Sequence, residues 1–226
     1  MKTKAAAAAG ICLCAAAGLA AGCGSTGQKT LEQSYEIGEI SQLTVQEAAG
    51  DVTISAADGP VTVKETMHFT GTEPETSHDV TDEALTLDSG CDGKACSVDY
   101  TIRVPAGTAL TVETGTGDIT VTGSAGKLDL DASAGDIRAE DLTSPEARME
   151  SSAGTISALF TRPPRTAEAS TVAGDIAFYV PPGTSYAAGL TTQSGDTSLD
   201  VPVSPGSPNR ITLHTDNGTA SLQPAP

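Results

Sequence analysis

The sequence predicts an all-β protein whose main part is a β-solenoid, a β-helix-like stack of coils of about 18–23 residues with a hairpin-rich cap at its N-terminal end. Three observations predict this fold class. Apolar and polar residues alternate with a period of two in many short segments, one turn sequence recurs at a nearly steady spacing, and no segment beyond residue 23 shows a helical apolar stripe. Such alternation places one face of each strand inside and the other in solvent.

Each repeat unit is an alternating strand, a small polar turn that ends in Gly-Asp or Gly-Thr, and a second alternating strand. From Gly117 onward the turn glycines follow one another at intervals of 18 to 23 residues, whereas Gly50 precedes Gly117 by 67 residues. Glycine suits a turn position with φ > 0, and Asp or Thr can hydrogen-bond nearby backbone. We therefore assign a structural turn role to Gly50, Asp51, Gly117, Asp118, Gly135, Asp136, Gly154, Gly174, Asp175, Gly195, Asp196 and Gly218.

A unit of about twenty residues cannot bury its apolar face alone, but stacked units can align equivalent residues into ladders. The predicted inward ladder contains Val52, Ile54, Ile119, Val121, Ile137, Ala139, Ile156, Ala158, Ile176, Phe178, Leu199 and Leu222. A β-sandwich of hairpins is the competing fold, because it also has short strands with regular turns. The steady spacing and the single turn chemistry favour the solenoid.

The longer strand-like segments around the two central cysteines differ from the repeats. We therefore predict that residues 37–105 form the N-terminal β cap and residues 106–226 the solenoid repeats, as one continuous domain over residues 37–226. A cap is needed because an open terminal coil exposes unpaired backbone and apolar surface. Residues 161–165 and 202–208 are proline-rich, so we predict loops that leave the sheets there.

The first segment is typical of a bacterial lipoprotein. Lys2 and Lys4 precede an uncharged, alanine-rich stretch, and small residues lead into Cys23. We predict a signal peptide over residues 1–22, lipidation of Cys23, and a flexible linker over residues 23–36, which begins with small polar residues. The alternative is an ordinary secretory signal that leaves Cys23 as a spare thiol. Lipidation would place the protein at the outer, extracytoplasmic face of the cell membrane.

Cys91 and Cys96 are the cysteines that remain when Cys12 and Cys14 leave with the signal and Cys23 takes the lipid. Outside the cytoplasm, a close pair of this kind predicts a disulfide. The Asp-Gly sequence between them is a turn signal with strand-like segments on both sides. We therefore expect a β-hairpin with the disulfide joining its two strands next to the turn. The alternative to a structural disulfide is a C-x4-C redox or metal site, but no further His or Cys lies nearby in the sequence to complete it.

The chain carries a formal net charge of −17, and only 3% of its residues are aromatic. A sequence without a basic stripe argues against nucleic-acid binding and against attachment to anionic lipid, which leaves the covalent lipid as the expected membrane contact. His68, His78 and His214 are isolated, and no hydrolase, metalloprotease or phosphate-binding motif occurs. We therefore predict no cofactor and no metal. A carboxylate ladder that binds Ca²⁺ is the alternative for the turn aspartates.

Serial Gly-Asp-Ile/Val turns, V-P-x-G-T segments at residues 104–108 and 180–184, and a lipoprotein signal occur together in this chain. Over about residues 43–222 the chain resembles a bacterial domain family of unknown function whose members are proposed adhesins. The resemblance implies a β-helix-like fold and a location in the cell envelope.

We expect a non-enzymatic envelope lipoprotein that displays a rigid β-solenoid for binding or adhesion. Its partner would be an envelope protein, a glycan or a cell-wall polymer, contacted through the flat sheet faces and the two proline-rich loops. An accessory or sensor component of an envelope-stress system is the alternative function. A cell-wall glycan-active enzyme is a minor alternative, since some β-helices carry paired carboxylates on one face.

Overall fold

The computed structural model describes residues 27–91 and 95–226, and these residues form strands, turns and loops. None of them belongs to a helix that could cross a lipid bilayer. The strands, in chain order, are β1 (Gln28–Ile37), β2 (Gln42–Ala49), β3 (Val52–Ala56), β4 (Val61–Thr70), β5 (Ser77–Thr81), β6 (Ala84–Asp88), β7 (Cys96–Val104), β8 (Ala109–Thr116), β9 (Ile119–Thr122), β10 (Leu128–Ala134), β11 (Ile137–Leu142), β12 (Glu146–Ala153), β13 (Ile156–Phe160), β14 (Thr166–Ala173), β15 (Ile176–Val180), β16 (Ala187–Ser194), β17 (Thr197–Leu199), β18 (Arg210–Asn217) and β19 (Ala220–Pro224).

The strands form two sheets around one apolar core. Sheet A has the order β1-β4-β7-β3-β9-β11-β13-β15-β19-β17, and sheet B has the order β16-β18-β14-β12-β10-β8-β2-β6-β5. Each coil gives one strand to each sheet, and neighbouring coils pair in parallel and in register. Leu128 of β10, for example, pairs with Leu110 of β8 and with Ala147 of β12. This pairing confirms the predicted solenoid, because each repeat strand stacks on the equivalent strand of another repeat.

The coils do not stack in chain order at either end. Leu43 of β2 pairs with Leu85 of β6 on one side and with Leu110 of β8 on the other, so the β2–β3 coil lies between the β6–β7 and β8–β9 coils. At the other end, the β18–β19 coil lies between the β14–β15 and β16–β17 coils. The 67-residue interval between Gly50 and Gly117 is therefore an excursion of the chain, which then returns to stack on its first repeat.

Antiparallel strands lie at the N-terminal end of the stack, where β1 pairs with β4, β4 with β7, and β5 with β6. The prediction of a flexible linker over residues 23–36 is wrong for residues 28–36, because these residues form most of β1. Strand β1 pairs with β4 from Gln28 opposite Thr70 to Ile37 opposite Val61. The polar composition of these residues gave no sign of a strand. Backbone hydrogen bonds to β4 and a single buried aromatic ring, Tyr35, hold β1 in place.

The predicted hairpin around the cysteine pair is also wrong. Strand β6 lies in sheet B and strand β7 in sheet A, so the strands before and after the pair are not partners. Both strands bury apolar side chains, such as Leu87 and Val98, and these faces meet across the core instead of lying side by side. Cys91 and Cys96 do form a disulfide, with Cα atoms 5.6 Å apart, and it spans the corner where the chain passes from one sheet to the other.

The core consists of apolar ladders that run along the stack. At most 1% of the surface is exposed in the predicted inward residues Val52, Ile54, Ile119, Val121, Ile137, Ala139, Ile156, Ala158, Ile176, Phe178 and Leu222. Burying one large aliphatic side chain stabilises a fold by roughly 1.5–3 kcal/mol. The prediction is wrong for Leu199, which is 42% exposed. Leu199 lies on the edge strand β17, and among the described residues no further coil stacks on it.

Candidate functional site

The turn aspartates connect successive coils through their side chains. The backbone N–H of Asp118 donates to the Asp51 carboxylate at 2.9 Å, and the N–H of Asp136 donates to the Asp118 carboxylate at 2.8 Å. The N–H of Thr155 donates to Asp136 at 2.7 Å. Each carboxylate thus holds the backbone of the neighbouring coil. Across residues 27–91 and 95–226, no group of three or more His, Cys, Asp or Glu side chains converges on a point that could hold a metal ion.

The turn glycines stack in a column that leaves no room for a side chain, so each position requires glycine. Gly117 has a φ of +142°, and a Cβ atom on it would lie 2.0 Å from the carbonyl oxygen of Gly50. A Cβ atom on Gly195 would likewise lie 2.0 Å from the carbonyl oxygen of Gly218. Gly218 therefore precedes Gly195 in the column, although it follows Gly195 in the chain. In stack order the column is Gly50, Gly117, Gly135, Gly154, Gly174, Gly218 and Gly195.

A column of hydroxyl groups runs beside the glycines on the inner face of sheet B. Ser151 donates to the carbonyl oxygen of Gly135 at 3.0 Å. The other residues whose hydroxyl groups donate to a turn glycine in this way are Thr114, Thr171, Thr192 and Thr215. In strand β2 the equivalent register position, opposite Thr114, holds Glu47. A carboxyl group therefore takes the place of a hydroxyl group in this coil, and the methyl group of Ala132 takes it in strand β10.

Glu47 is a buried carboxyl group whose hydrogen bonds are incomplete. Its side chain is only 5% exposed. Oε1 accepts the backbone N–H of Ala49 at 2.9 Å, whereas Oε2 has no hydrogen-bond partner within the described residues. Burial raises the pKa of Glu47 from 4.5 to about 7, although the polar groups of Ala49, Ser89 and Ala48 beside it lower it, and the charge of Asp99 raises it further. The group therefore changes protonation near neutral pH.

Glu47 lines a groove of about 590 Å³ that crosses the ends of strands β6, β2, β8 and β10. The residues that line it are Gln46, Glu47, Ala48, Asp88, Ser89, Glu113, Thr114, Gly115, Asp131 and Ser133. The register places Asp88, Gln46, Glu113 and Asp131 in one row on the outer face of sheet B. Adjacent strands lie about 4.8 Å apart, so the row carries closely spaced carboxylates. We call this site the acidic groove.

A second buried carboxyl group, Glu65, lies within the N-terminal end of the stack and is fully hydrogen-bonded. The hydroxyl of Tyr35 donates to Oε1 at 2.6 Å, and the hydroxyl of Thr76 donates to Oε2 at 2.9 Å. Burial, with the Glu65 hydrogen bond and charge, raises the pKa of Tyr35 well above its usual range. The ring of Tyr35 stacks on His78, with ring centroids 4.5 Å apart. Glu65 thus acts as a structural hydrogen-bond acceptor.

Most residues singled out from the sequence lie away from the acidic groove. The loop at 202–208 lies at the far end of the stack, where Val203 forms an isolated bridge with Tyr186 beside the edge strand β16. His68 and His214 lie 3.4 Å from Asp99 and 3.1 Å from Asp216, respectively. Cys23 lies outside the described residues, so its predicted lipidation stays a prediction.

The sequence contained a signal for the buried acids. Strand β2 alternates Leu43, Val45 and Glu47 on its inner face, and strand β4 places Glu65 inward between Val63 and Met67. A Glu at an inward position of an alternating strand predicts a buried carboxyl group, which costs free energy unless it is partnered. The groove itself was not predictable in this way, because Asp88 and Asp131 meet Glu47 only through the non-sequential stacking of the coils.

A solved structure shares this fold at low sequence identity. A proposed cell adhesion protein from Clostridium sporogenes is 12% identical and has a TM-score of 0.52, with 86% of this chain and 99% of that chain covered. A proposed adhesin from Bacteroides fragilis is 16% identical and has a TM-score of 0.49, with 86% and 96% covered. The comparison with curated proteins found no match.

The family comparison covers nearly all of the described structure. The Toastrack DUF4097 family matches residues 27–222, which reach from strand β1 into strand β19. The protein therefore belongs to the Toastrack family.

Proposed function

We propose that the protein is a lipoprotein, attached through Cys23 to the outer face of the cell membrane, that presents its β-solenoid as a binding surface and catalyses no reaction. The observation that carries the binding role is the acidic groove, a concave polar site on the outer face of a rigid sheet. In-register parallel pairing and the Asp and hydroxyl columns fix the backbone beneath it. Recognition sites in proteins are commonly concave.

The position of strand β1 supports a role close to the membrane. Cys23 precedes Gln28, the first residue of β1, by five positions. Five residues span at most about 18 Å when fully extended, so a lipid at Cys23 would hold the N-terminal end of the stack near the bilayer. This short reach favours a partner in the envelope. It also supports the second candidate function, an accessory or sensor component that contacts a membrane protein.

The cell-adhesion name of the Clostridium sporogenes protein agrees with a binding role, although the two chains share only the fold at 12% identity. Envelope proteins, glycans and cell-wall polymers are the partner classes that we propose. A polymer would run across the strands of sheet B, since the acidic row lies in that direction.

Photo-cross-linking in intact cells tests the binding role. A photoreactive amino acid at Ser133, in the acidic groove, is compared with one at Thr212, which is exposed on the same sheet outside the groove. We expect cross-links to a discrete envelope component from Ser133 and far fewer from Thr212. A membrane signalling protein among the products would select the sensor function. Equal yields at the two positions would contradict a binding site in the groove.

Replacement of Cys23 tests the anchor separately. In the Cys23→Ala variant we expect the protein to leave the membrane fraction and to lack the lipid in mass spectra of its N-terminus. A variant that is processed normally and stays membrane-bound would show that another element provides the attachment.

A further inference from the structure

The stack of coils ends at strands β16 and β17, which are the outermost strands of sheets B and A, and we call this end of the molecule the distal end. Leu190 of β16 pairs in register with the fully buried Leu213, and Leu199 of β17 pairs with the fully buried Leu222. Leu190 itself is only partly buried, and Leu199 is 42% exposed. The last rung of the apolar core therefore lies open at the distal end.

The backbone of β16 also offers hydrogen-bonding groups at this end. The N–H and C=O groups of Tyr186 point away from β18 and bond to the loop at 202–208. Alternate residues of a strand direct their backbone groups to the same side, so those of Ala188, Leu190 and Thr192 point away from β18 as well. The bridge to the loop is confined to Tyr186, and among the described residues no strand pairs with the rest of this edge. The distal end is therefore an open template for strand pairing.

The distal end lacks the charges that usually protect an open edge. Natural edge strands commonly carry charged residues or prolines, which prevent pairing with another chain. The edge strands at the opposite end follow this rule, since β1 contains Lys29, Glu32 and Glu36, and β5 contains Asp79. Strands β16 and β17 contain no charged residue and no proline, although the whole chain has a formal net charge of −17. Two copies of this acidic protein can therefore bring these strands together without opposing like charges on them.

The geometry of the distal end selects the kind of partner. Strands β16 and β17 belong to one coil, so the two open edges lie at the same level on opposite sides of the core. Packed sheets lie about 10 Å apart, so a single extended peptide that pairs with one edge does not reach the other. A partner that pairs with both edges must offer two strands at the same separation, with apolar side chains between them. The distal end of a second copy of this chain has this arrangement.

We propose that two copies of the chain pair head to head through their distal ends, about a twofold axis perpendicular to the stack. Strand β16 pairs antiparallel with β16 of the second copy, and β17 with β17, because strands of eight and three residues match only their own equivalents in length. Leu190 and Leu199 then pack against the open rung of the second copy. An interface that uses the same surface on both copies closes at a dimer. This inference goes beyond the proposed function, because it does not involve the acidic groove.

Sedimentation equilibrium of the processed, full-length protein in nonionic detergent tests the proposal. We expect a reversible equilibrium between monomer and dimer. Leu199→Glu places a carboxylate in the contact, where it faces the same charge on the second copy, and should raise the dissociation constant by about tenfold or more. Val80→Glu is the matched control. Val80 is 48% exposed, lies on the edge strand β5 at the opposite end and pairs with the fully buried Leu85, so the variant adds the same charge at an equivalent position and should leave the dissociation constant unchanged.

Three results of this measurement would overturn the proposal. The first is a monomer at every concentration, and the second is a series of species larger than the dimer, because a twofold contact closes. The third is equal weakening by Leu199→Glu and Val80→Glu, since repulsion by net charge would then explain both.

Thiol cross-linking locates the contact without a change to the core. A short bifunctional thiol reagent is applied to Ser198→Cys, on β17, and to Ser77→Cys, on the edge strand β5 at the opposite end, with the wild type as the control for its own cysteines. We expect cross-linked dimers from Ser198→Cys and none from Ser77→Cys. Dimers from Ser77→Cys, or equal yields from the two variants, would contradict a contact through the distal end.

Discussion

Replacing Glu47 with glutamine isolates the free energy that its buried carboxylate costs the fold. Glutamine keeps the shape of the side chain and an oxygen that can accept the Ala49 N–H, but it cannot ionise. Below pH 4.5 the wild-type carboxyl is protonated in both the folded and the unfolded chain, so the variant gains nothing there. Above pH 7 the folded wild type must hold an ionised group in a buried position next to Asp99 and Tyr100.

The magnitude follows from the difference between the two pKa values. Burial raises the pKa of Glu47 from 4.5 to about 7. Between these values the folded state binds more protons than the unfolded state, so the contribution of Glu47 to stability falls as the pH rises. A shift of this size corresponds to about 3 kcal/mol in total at about 1.4 kcal/mol per unit. The Glu47→Gln variant should therefore be more stable than the wild type at high pH and nearly equal to it at low pH.

Urea denaturation at pH 5 and pH 8.5 measures this difference. We expect the variant's gain in free energy of unfolding to increase by roughly 2–3 kcal/mol between the two pH values. Glu113→Gln is the control, because it removes an exposed carboxylate from the same groove and should show little pH-dependent gain. A Glu47→Gln gain that is the same at both pH values, or a loss of stability at pH 8.5, would refute the burial argument.

Three further predictions concern the columns that hold the coils together, each checked by urea denaturation. Gly135→Ala places a Cβ atom 1.9 Å from a backbone carbonyl oxygen and should cost more than about 3 kcal/mol, whereas Gly206→Ala, in open space, should cost less than about 1 kcal/mol. Asp136→Ala removes the acceptor for the next coil's N–H and should cost about 1 kcal/mol, against almost nothing for Asp196→Ala. Phe160→Ala empties a fully buried site and should cost about 3–5 kcal/mol; a loss below about 1 kcal/mol would contradict the packing described.

The repeat pattern predicted the solenoid because its cause is local. Alternation selects strands, the Gly-Asp turn fixes each corner, and the near-constant spacing allows equivalent residues to stack. The prediction failed at the ends. Nothing in residues 28–36 shows that β4 offers them a free edge, and the turn signal between Cys91 and Cys96 suggested adjacent strands where the structure has a corner between sheets.

The sequence by itself determined the repeat strands, the glycine corners and nearly all positions of the inward ladder, because these depend on periods of two residues and on the steric demands of one turn. Only the tertiary structure decided which coils are neighbours. Strands β2 and β8 pair although 67 residues separate Leu43 from Leu110, and this pairing brings Glu113 and Asp131 beside Glu47. Any coil of matching shape can pair in parallel with a given coil. The order of the coils, and with it the acidic groove, therefore depends on which strand edges the rest of the folded chain leaves unpaired.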